Sequence, residues 1–316
     1  MEGPDENKRN VQQVKTIMEL KEMHFHSECL ICKSKKLKDL KRYQNTFLVK
    51  CDTCGFIFSK AIPSEQVLTE HYREYSYAGE SYLSPVTIKR FNELLDEFEK
   101  YRITNRILDV GCGAGFFLQS AMKRGWEVYG TEYSETAVQL CKRKGITMFG
   151  GILDSKKFNG KEFDVITSLE VIEHINNPLE EISHITSLLR KGGLYYSTTP
   201  NFNGLLRFYL KDKYNIIVYP EHLCYYTPET LNFLYEKSGL RRLKIFTSGI
   251  SLTRLKTSID PDMKIKYETS DDEKIRQQLE TKWYLRLLKK ILNSFFRITG
   301  TGLTIKAYYV KTVDRP

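Results

Sequence analysis

The chain has 316 residues, 41% of them apolar, and a formal net charge of +10. That is long enough for one large domain with a buried core plus a small module. No apolar run approaches the roughly 20 residues of a membrane span, and the mixed-charge opening "MEGPDENKRN" does not read as a secretory signal.

In chain order, residues 1–24 read as a polar arm. Residues 25–62 carry two C-x2-C pairs, Cys29/Cys32 and Cys51/Cys54, with 18 residues between them and Gly55 placed for a tight knuckle. Four cysteines so spaced read as a tetrahedral zinc site. Four thiolates fill the shell and leave no position for water, so the zinc is expected to be structural. The seven cysteines are an odd set, with Cys112, Cys141 and Cys224 outside the pairs. That argues against a disulfide framework and for a reducing cytosol. Residues 63–101 read as a helical linker or lid. Tyr72, Tyr75, Tyr77 and Tyr82 within it suit closure over a site, and packing of an amphipathic cover helix explains them as well.

From residue 102 to 316 the pattern alternates. "RILDV", "WEVYGTE", "ITMFG", "FDVITSLE" and "LYYSTTP" read as strands. Between them lie helices over "FFLQSAMKRG", "SETAVQLCKRKG" (capped by Ser134) and, from Pro178, "PLEEISHITSLLRKGG". After an aromatic, basic insertion at about 201–228 come a helix, "PETLNFLYEKSG", and a strand, "LRRLKIFTSG". A second insertion, about 256–298, ends in a long helix over "IRQQLETKWYLRLLKKILNSFFR", and "LTIKAYYVK" is a last strand. Such alternation predicts an α/β fold, a doubly wound, largely parallel sheet preceded by a small four-cysteine ribbon.

Sheets of this kind bind ligands at the carboxyl ends of their strands. There the first strand ends in "DVGCGAG", with Gly111, Gly113 and Gly115 permitting a sharp turn and close backbone approach. The spacing is G-x-G-x-G, and Phe116 holds the sixth position of the dinucleotide fingerprint, which argues against NAD or FAD. Asp109 repels phosphate and attracts an amino group. Glu132, at the end of the next strand, is placed to hold a ribose diol. An amino acid joined to a ribose describes S-adenosylmethionine. An ordinary βα turn with an exposed acid is the plain alternative.

The segments "ILDVGCGAGFF", "VYGTEYS", "FDVITSLEVIEHINNP", "LLRKGGLYYSTTPN" and "EHLCYYTPETL" resemble the class I S-adenosylmethionine-dependent methyltransferases. The likeness is to the subgroup of ubiquinone-pathway O-methyltransferases and bacterial sugar and polysaccharide methyltransferases. It covers about residues 102–249 and implies a Rossmann-like seven-stranded sheet. It implies that Asp109, Gly111, Cys112 and Gly113 surround the methionine portion, that Glu132 holds the ribose, and that Tyr133 lies beside the adenine. Ile152 and Leu153 fall at the adenine edge, where an acid is usual; Asp154 lies two residues on. Ser168, Leu169 and Glu170 would line the cofactor near its sulfur.

The resemblance places His222, in "PEHLCYYT", facing the acceptor as general base. A structural histidine capping the insertion is the alternative, and His174 is read as orienting the Leu169–Glu173 turn. A ribbon before this domain type resembles enzymes of sugar and cell-surface glycan modification. Ketosugar C-methyltransferases share that layout but carry a further large C-terminal domain, so oxygen is the expected acceptor atom. The expected substrate is a small-molecule, sugar or glycan hydroxyl, then a lipid-linked phenol. A ribbon-guided RNA or protein methyltransferase follows, and "SLEV" in place of an N-P-P-Y-like motif argues against base-amine methylation. A non-catalytic binder comes last. Residues 283–297 combine apolar, aromatic and basic side chains and suit a peripheral membrane contact, or a helix packed on the domain with solvated lysines. The expected location is the cytoplasm, with contact at the inner membrane face.

Overall fold

The structure, a computed structural model, describes residues 24–64, 67, 83, 85–214, 216–249 and 283–312. The polar arm up to residue 23, the four tyrosines read as a lid or as cover-helix packing, and the first part of the second insertion lie outside the described residues.

The larger body is a seven-stranded sheet. Its parallel half is β6 (Arg106–Val110), β7 (Glu127–Glu132), β8 (Thr147–Gly150), β9 (Phe163–Leu169) and β10 (Leu189–Pro200). β12 (Leu240–Ser248) and β13 (Thr304–Lys311) complete it, in the order β12-β13-β10-β9-β6-β7-β8, with β13 antiparallel to both neighbours. The predicted doubly wound, Rossmann-like sheet is therefore present. α1 (Pro85–Phe98), α2 (Phe116–Met122), α3 (Glu135–Arg143) and α4 (Pro178–Leu188) lie in the parallel half; α5 (Leu205–Leu210), α6 (Pro228–Lys237) and α7 (Trp283–Thr299) follow. Ser134 caps α3 as predicted, its hydroxyl accepting from the Ala137 N–H, and Thr227 caps α6 with Pro228 at the first helical position.

α4 ends five residues earlier than its periodicity predicts. Leu189 already pairs with Phe163 of β9, and the register shifts between Leu189 and Leu194. Arg190 in this stretch reaches buried Asp164, which also accepts from the Ile103 and Asn105 N–H groups. An ion pair and a strand contact, neither visible in local spacing, end the helix.

β6 turns into α2 with Gly111, Gly113 and Gly115 all at positive φ. A Cβ on Gly115 would stand 2.7 Å from Ile146 Cδ1 and 2.8 Å from Cys141 Sγ, and one on Gly111 would stand 2.6 Å from Val171 Cγ2. At both positions the space is claimed by the protein's own side chains. Gly115→Ala is accordingly expected to cost about 2–4 kcal/mol of unfolding free energy. Gly145→Ala, also at positive φ but with nothing within 4 Å of its Cβ, should cost only about 1 kcal/mol. Urea titrations of the two variants compare them directly; equal losses would show that the crowding at Gly115 is irrelevant.

The N-terminal module is a four-stranded antiparallel sheet, order β11-β4-β3-β2, with a two-stranded ribbon of β1 (His24–Phe25) and β5 (Ala61–Ile62) beside it. β2 (Leu37–Asp39), β3 (Leu48–Cys51) and β4 (Ile57–Ser59) come from this module. The edge strand β11 (Cys224–Tyr225) comes from the first insertion and pairs Cys224 with Phe58 and Tyr225 with Ile57. One apolar core runs through both bodies, joining Cys29, Phe56 and Phe58 to Tyr226, Leu231 and Ile166. Among the described residues no helix is long and apolar enough to cross a membrane.

Candidate active site

The carboxyl ends of β6, β7 and β9 lie side by side. Asp109 pairs in register with Gly130 on one side and Thr167 on the other, and Val110 with Ser168. This gathers Asp109, the glycine turn, Glu132, Ser168, Leu169 and Glu170 at one edge. Asp109 is buried, and Thr167 Oγ1 donates to its Oδ1 at 2.6 Å. Burial pushes its carboxyl up to about 7, the Thr167 hydrogen bond opposes that, and the Glu132 charge adds to it. Among the described residues no lysine or arginine forms an ion pair with Asp109 or Glu132. A cationic ligand suits this pair of acids and a phosphate does not.

Glu132 also has a structural task. Its Oε2 accepts the Gly113 N–H at 2.9 Å, and its Oε1 accepts the Tyr133 and Ser134 N–H groups at 2.8 and 3.0 Å. The carboxylate thus fastens the glycine turn to the end of β7, with lone pairs left for a diol. Tyr133 is partly exposed and Ile152 is 73% exposed at the surface, whereas Leu153 is buried in the core. Asp154 spends its carboxylate capping a 3-10 turn at Lys156. The Cys112 and Cys141 thiols both approach the Gly113 carbonyl, at 3.9 and 3.3 Å.

Beyond β9 the chain turns through Glu170, an exposed non-glycine residue at φ 57°, into a 3-10 turn over Ile172–His174. Strain of this kind gathers at functional sites. Glu173, His174 and His222 meet just past this turn, each offering a ligand atom within 4.8 Å of the others. The imidazole rings stand 4.7 Å apart, edge to face. His174 Nδ1 lies 2.6 Å from the Glu221 carbonyl and His222 Nδ1 2.6 Å from the Ile216 carbonyl. Carbonyls only accept, so in the neutral rings Nδ1 carries the proton and Nε2 is the basic nitrogen. Buried Glu173 accepts from Thr199 Oγ1 at 2.9 Å and stands 3.9 Å from His174 Nε2. His174 therefore ties the turn after β9 to the insertion as well as shaping the turn itself. The place of Glu173 in this cluster is missed by sequence reasoning; its signal is the adjacent Glu-His in "VIEH".

Two sequence comparisons bear on this geometry. The family described as "Methyltransferase domain" matches residues 71–245, more than half of the chain. The chain belongs to that family. Curated relatives of this methyltransferase include the ubiquinone biosynthesis O-methyltransferase of Coxiella burnetii (strain CbuK_Q154), 27% identical over 218 residues, 63% of this chain and 92% of that protein. The protein of the same name from Roseobacter denitrificans is 28% identical over 153 residues, 43% of this chain and 59% of its own. Among solved structures, an S-adenosylmethionine-dependent methyltransferase from Archaeoglobus fulgidus aligns with TM-score 0.48 at 20% identity, over 78% of this chain and all of that one. The chain is an S-adenosylmethionine-dependent methyltransferase, and the acid pair at β6 and β7 fits the ammonium and ribose of that cofactor.

Forty residues or more from this edge in sequence, the four ribbon cysteines converge, with all four sulfurs within 4.8 Å of one another. Cys29 Sγ stands 3.5 Å from Cys54 Sγ, and Cys32 Sγ 3.5 Å from Cys51 Sγ. Tetrahedral zinc with 2.3 Å bonds to sulfur sets these separations at about 3.8 Å. Both pairs close in the same knuckle. Lys33 at φ 62° donates its N–H to the Cys29 carbonyl at 3.0 Å, and Gly55 at φ 75° donates to the Cys51 carbonyl at 2.9 Å. The residues fit a four-thiolate metal.

Proposed function

We propose that this methyltransferase methylates a hydroxyl oxygen, with His222 as general base, and that a structural zinc holds the ribbon. The observation that carries the reading is the His222 ring: buried, its Nδ1–H committed to the Ile216 carbonyl, and clustered with His174 and Glu173. S-adenosylmethionine supplies a methyl group already activated on a sulfonium, so the protein chiefly aligns the acceptor and keeps the site dry. A hydroxyl must still lose its proton as it attacks, and Nε2 of neutral His222 takes it. Glu173, held by Thr199, gives the resulting imidazolium a buried negative neighbour.

A sugar or glycan hydroxyl is the first acceptor class, because an alcohol is less acidic than a phenol and depends more on a positioned base. The ribbon beside the insertion supports it as a wall on the acceptor side. The second class is a phenol on a lipid-linked, quinone-type precursor, favoured by the name of the curated relatives. The cytoplasm, including the inner membrane face, is the compartment this reading assigns.

The experiment is methyl transfer from labelled S-adenosylmethionine to sugar nucleotides, polyprenyl-linked glycans and catechols. His222→Ala is expected to lower kcat by about 10²–10⁴-fold with cofactor affinity unchanged, and to remove the acid limb of the pH–rate profile. Turnover of catechols alone would move the assignment to the second class. A His222→Ala enzyme with wild-type kcat would remove the base assignment.

A further inference from the structure

α7 has two faces of opposite character. Phe296 is buried, Thr247 Oγ1 of β12 donates to its carbonyl at 2.6 Å, and the Gly249 N–H donates to Asn293 Oδ1 at 3.0 Å. Arg297 lies over the Phe246 ring at 4.3 Å. These contacts settle which side of the helix rests on β12. At about 100° per residue, Trp283, Leu287, Ile291, Phe295 and Ile298 fall within an arc of about 120°, centred about 160° from Phe296. They are exposed: Trp283 70%, Ile291 58%, Ile298 86%. An apolar stripe four turns long thus points away from the fold that carries it, which is more than scattered surface residues explain.

The charges along the helix say what covers that stripe. Trp283–Thr299 contains Arg286, Lys289, Lys290 and Arg297 and no acid. By the same rotation Lys290 and the helix position of residue 286 fall beside the apolar arc, within about 60° of Trp283, while Arg297 is spent on the Phe246 ring. A second copy of the chain seated on this face would bring like cations together. A sheet of anionic headgroups would pair with them while the apolar stripe enters the acyl boundary. The surface also has a neighbour of the same kind. α5 is hydrogen-bonded to the loop after α7, with the Leu205 N–H donating to Thr301 O at 2.9 Å and Asn201 Nδ2 to Gly300 O at 2.8 Å. Its Phe208 and Tyr209 are exposed too.

We infer that the outward face of α7 docks this methyltransferase on an anionic lipid bilayer. The inference stands on α7 and its charges, independently of which hydroxyl is methylated. The test is co-sedimentation of the full-length, zinc-loaded protein with vesicles of phosphatidylcholine, alone or mixed with phosphatidylglycerol. Ile291→Asp/Ile298→Asp and Lys290→Glu variants are run beside it, with light-scattering mass over a concentration series. The expected result is pelleting with the mixed vesicles only, weakened by salt and reduced at least about tenfold in partition by the double Asp variant. Thermal melts and S-adenosylmethionine affinity should stay at wild-type values, because neither Ile touches the core or the cofactor edge. Equal partition of wild type and double variant, or no partition of the wild type, overturns the inference. So does a concentration-dependent dimer that the double variant abolishes without any vesicle binding; the face would then be a subunit interface.

Discussion

Asp109→Asn should weaken S-adenosylmethionine binding about 100-fold or more, a loss of about 2.7 kcal/mol, while leaving the protein folded. Asparagine keeps the size of the side chain and an oxygen for Thr167 Oγ1, now 2.6 Å from the carboxylate, and removes only the charge. Titration calorimetry reads the affinity and a thermal melt the fold. The pH dependence sharpens the test. Without ligand, burial lifts the Asp109 carboxyl to about 7, above its ordinary value of 3.8. The folded protein therefore holds a proton that the unfolded chain has released between those values. Asp109's contribution to stability is fully present below about pH 4 and is lost as the pH rises toward about 7. The cofactor's ammonium needs the ionised form, so binding below about pH 7 must expel that proton, and affinity should fall by up to tenfold per pH unit there. Asp109→Asn should flatten both slopes. Wild-type affinity independent of pH between about 5.5 and 7.5 would show that Asp109 is not the ammonium's partner.

Loss of the zinc proposed for the ribbon should silence methyl transfer without emptying the cofactor site. Cys51→Ser, or chelation of zinc, is expected to reduce acceptor turnover at least about 100-fold and to change S-adenosylmethionine affinity less than about threefold. The reason lies in how the insertion is held. His222 is flanked by Leu223, whose carbonyl accepts the Ser59 N–H at 2.8 Å and whose N–H donates to the Glu173 carbonyl at 2.8 Å. The next two residues form the edge strand on β4, and Tyr226 packs on Phe56, ring centroids 5.2 Å apart. His26 Nε2 meets Asn176 Oδ1 at 2.7 Å, just past the Glu173–His174 turn. A ribbon of this size would rely on the proposed zinc to fold, and unfolding it removes the partner strand of the segment that carries His222, the proposed base. Asp109 and Glu132 are fixed by β6, β7 and β9 and should be untouched. Hydrogen exchange would localise the effect: protection should disappear at Ile57–Ser59 and Leu223–Tyr226 and persist at Ile107–Val110. A metal-free variant with full turnover, or one that loses cofactor and acceptor function together, would refute this division.

The parts of the protein that sequence by itself determined are those in which cause and effect lie close together in the chain. Alternation of strand and helix periods was enough for a doubly wound, largely parallel sheet, and the resemblance to a known family implied its seven strands. Strand, acid, glycine turn and helix follow one another within "RILDVGCGAGFFL", and Glu132 sits at the end of the next strand, so the gathering of Asp109, the glycine turn and Glu132 at one sheet edge was legible. Two C-x2-C pairs likewise specify their own knuckles. Tertiary structure alone decided three things. It ended α4 at Leu188, through the Arg190–Asp164 contact and the pairing of Leu189 with Phe163. It made an insertion strand the edge of the ribbon sheet and so brought Glu173, His174 and His222 into one cluster. It turned the apolar stripe of α7 outward, a choice that amphipathic spacing cannot make because a helix presents the same period whichever face meets the core. Strand register and helix orientation are set by which surfaces remain to be paired once the whole chain has collapsed, and a local pattern carries no record of that.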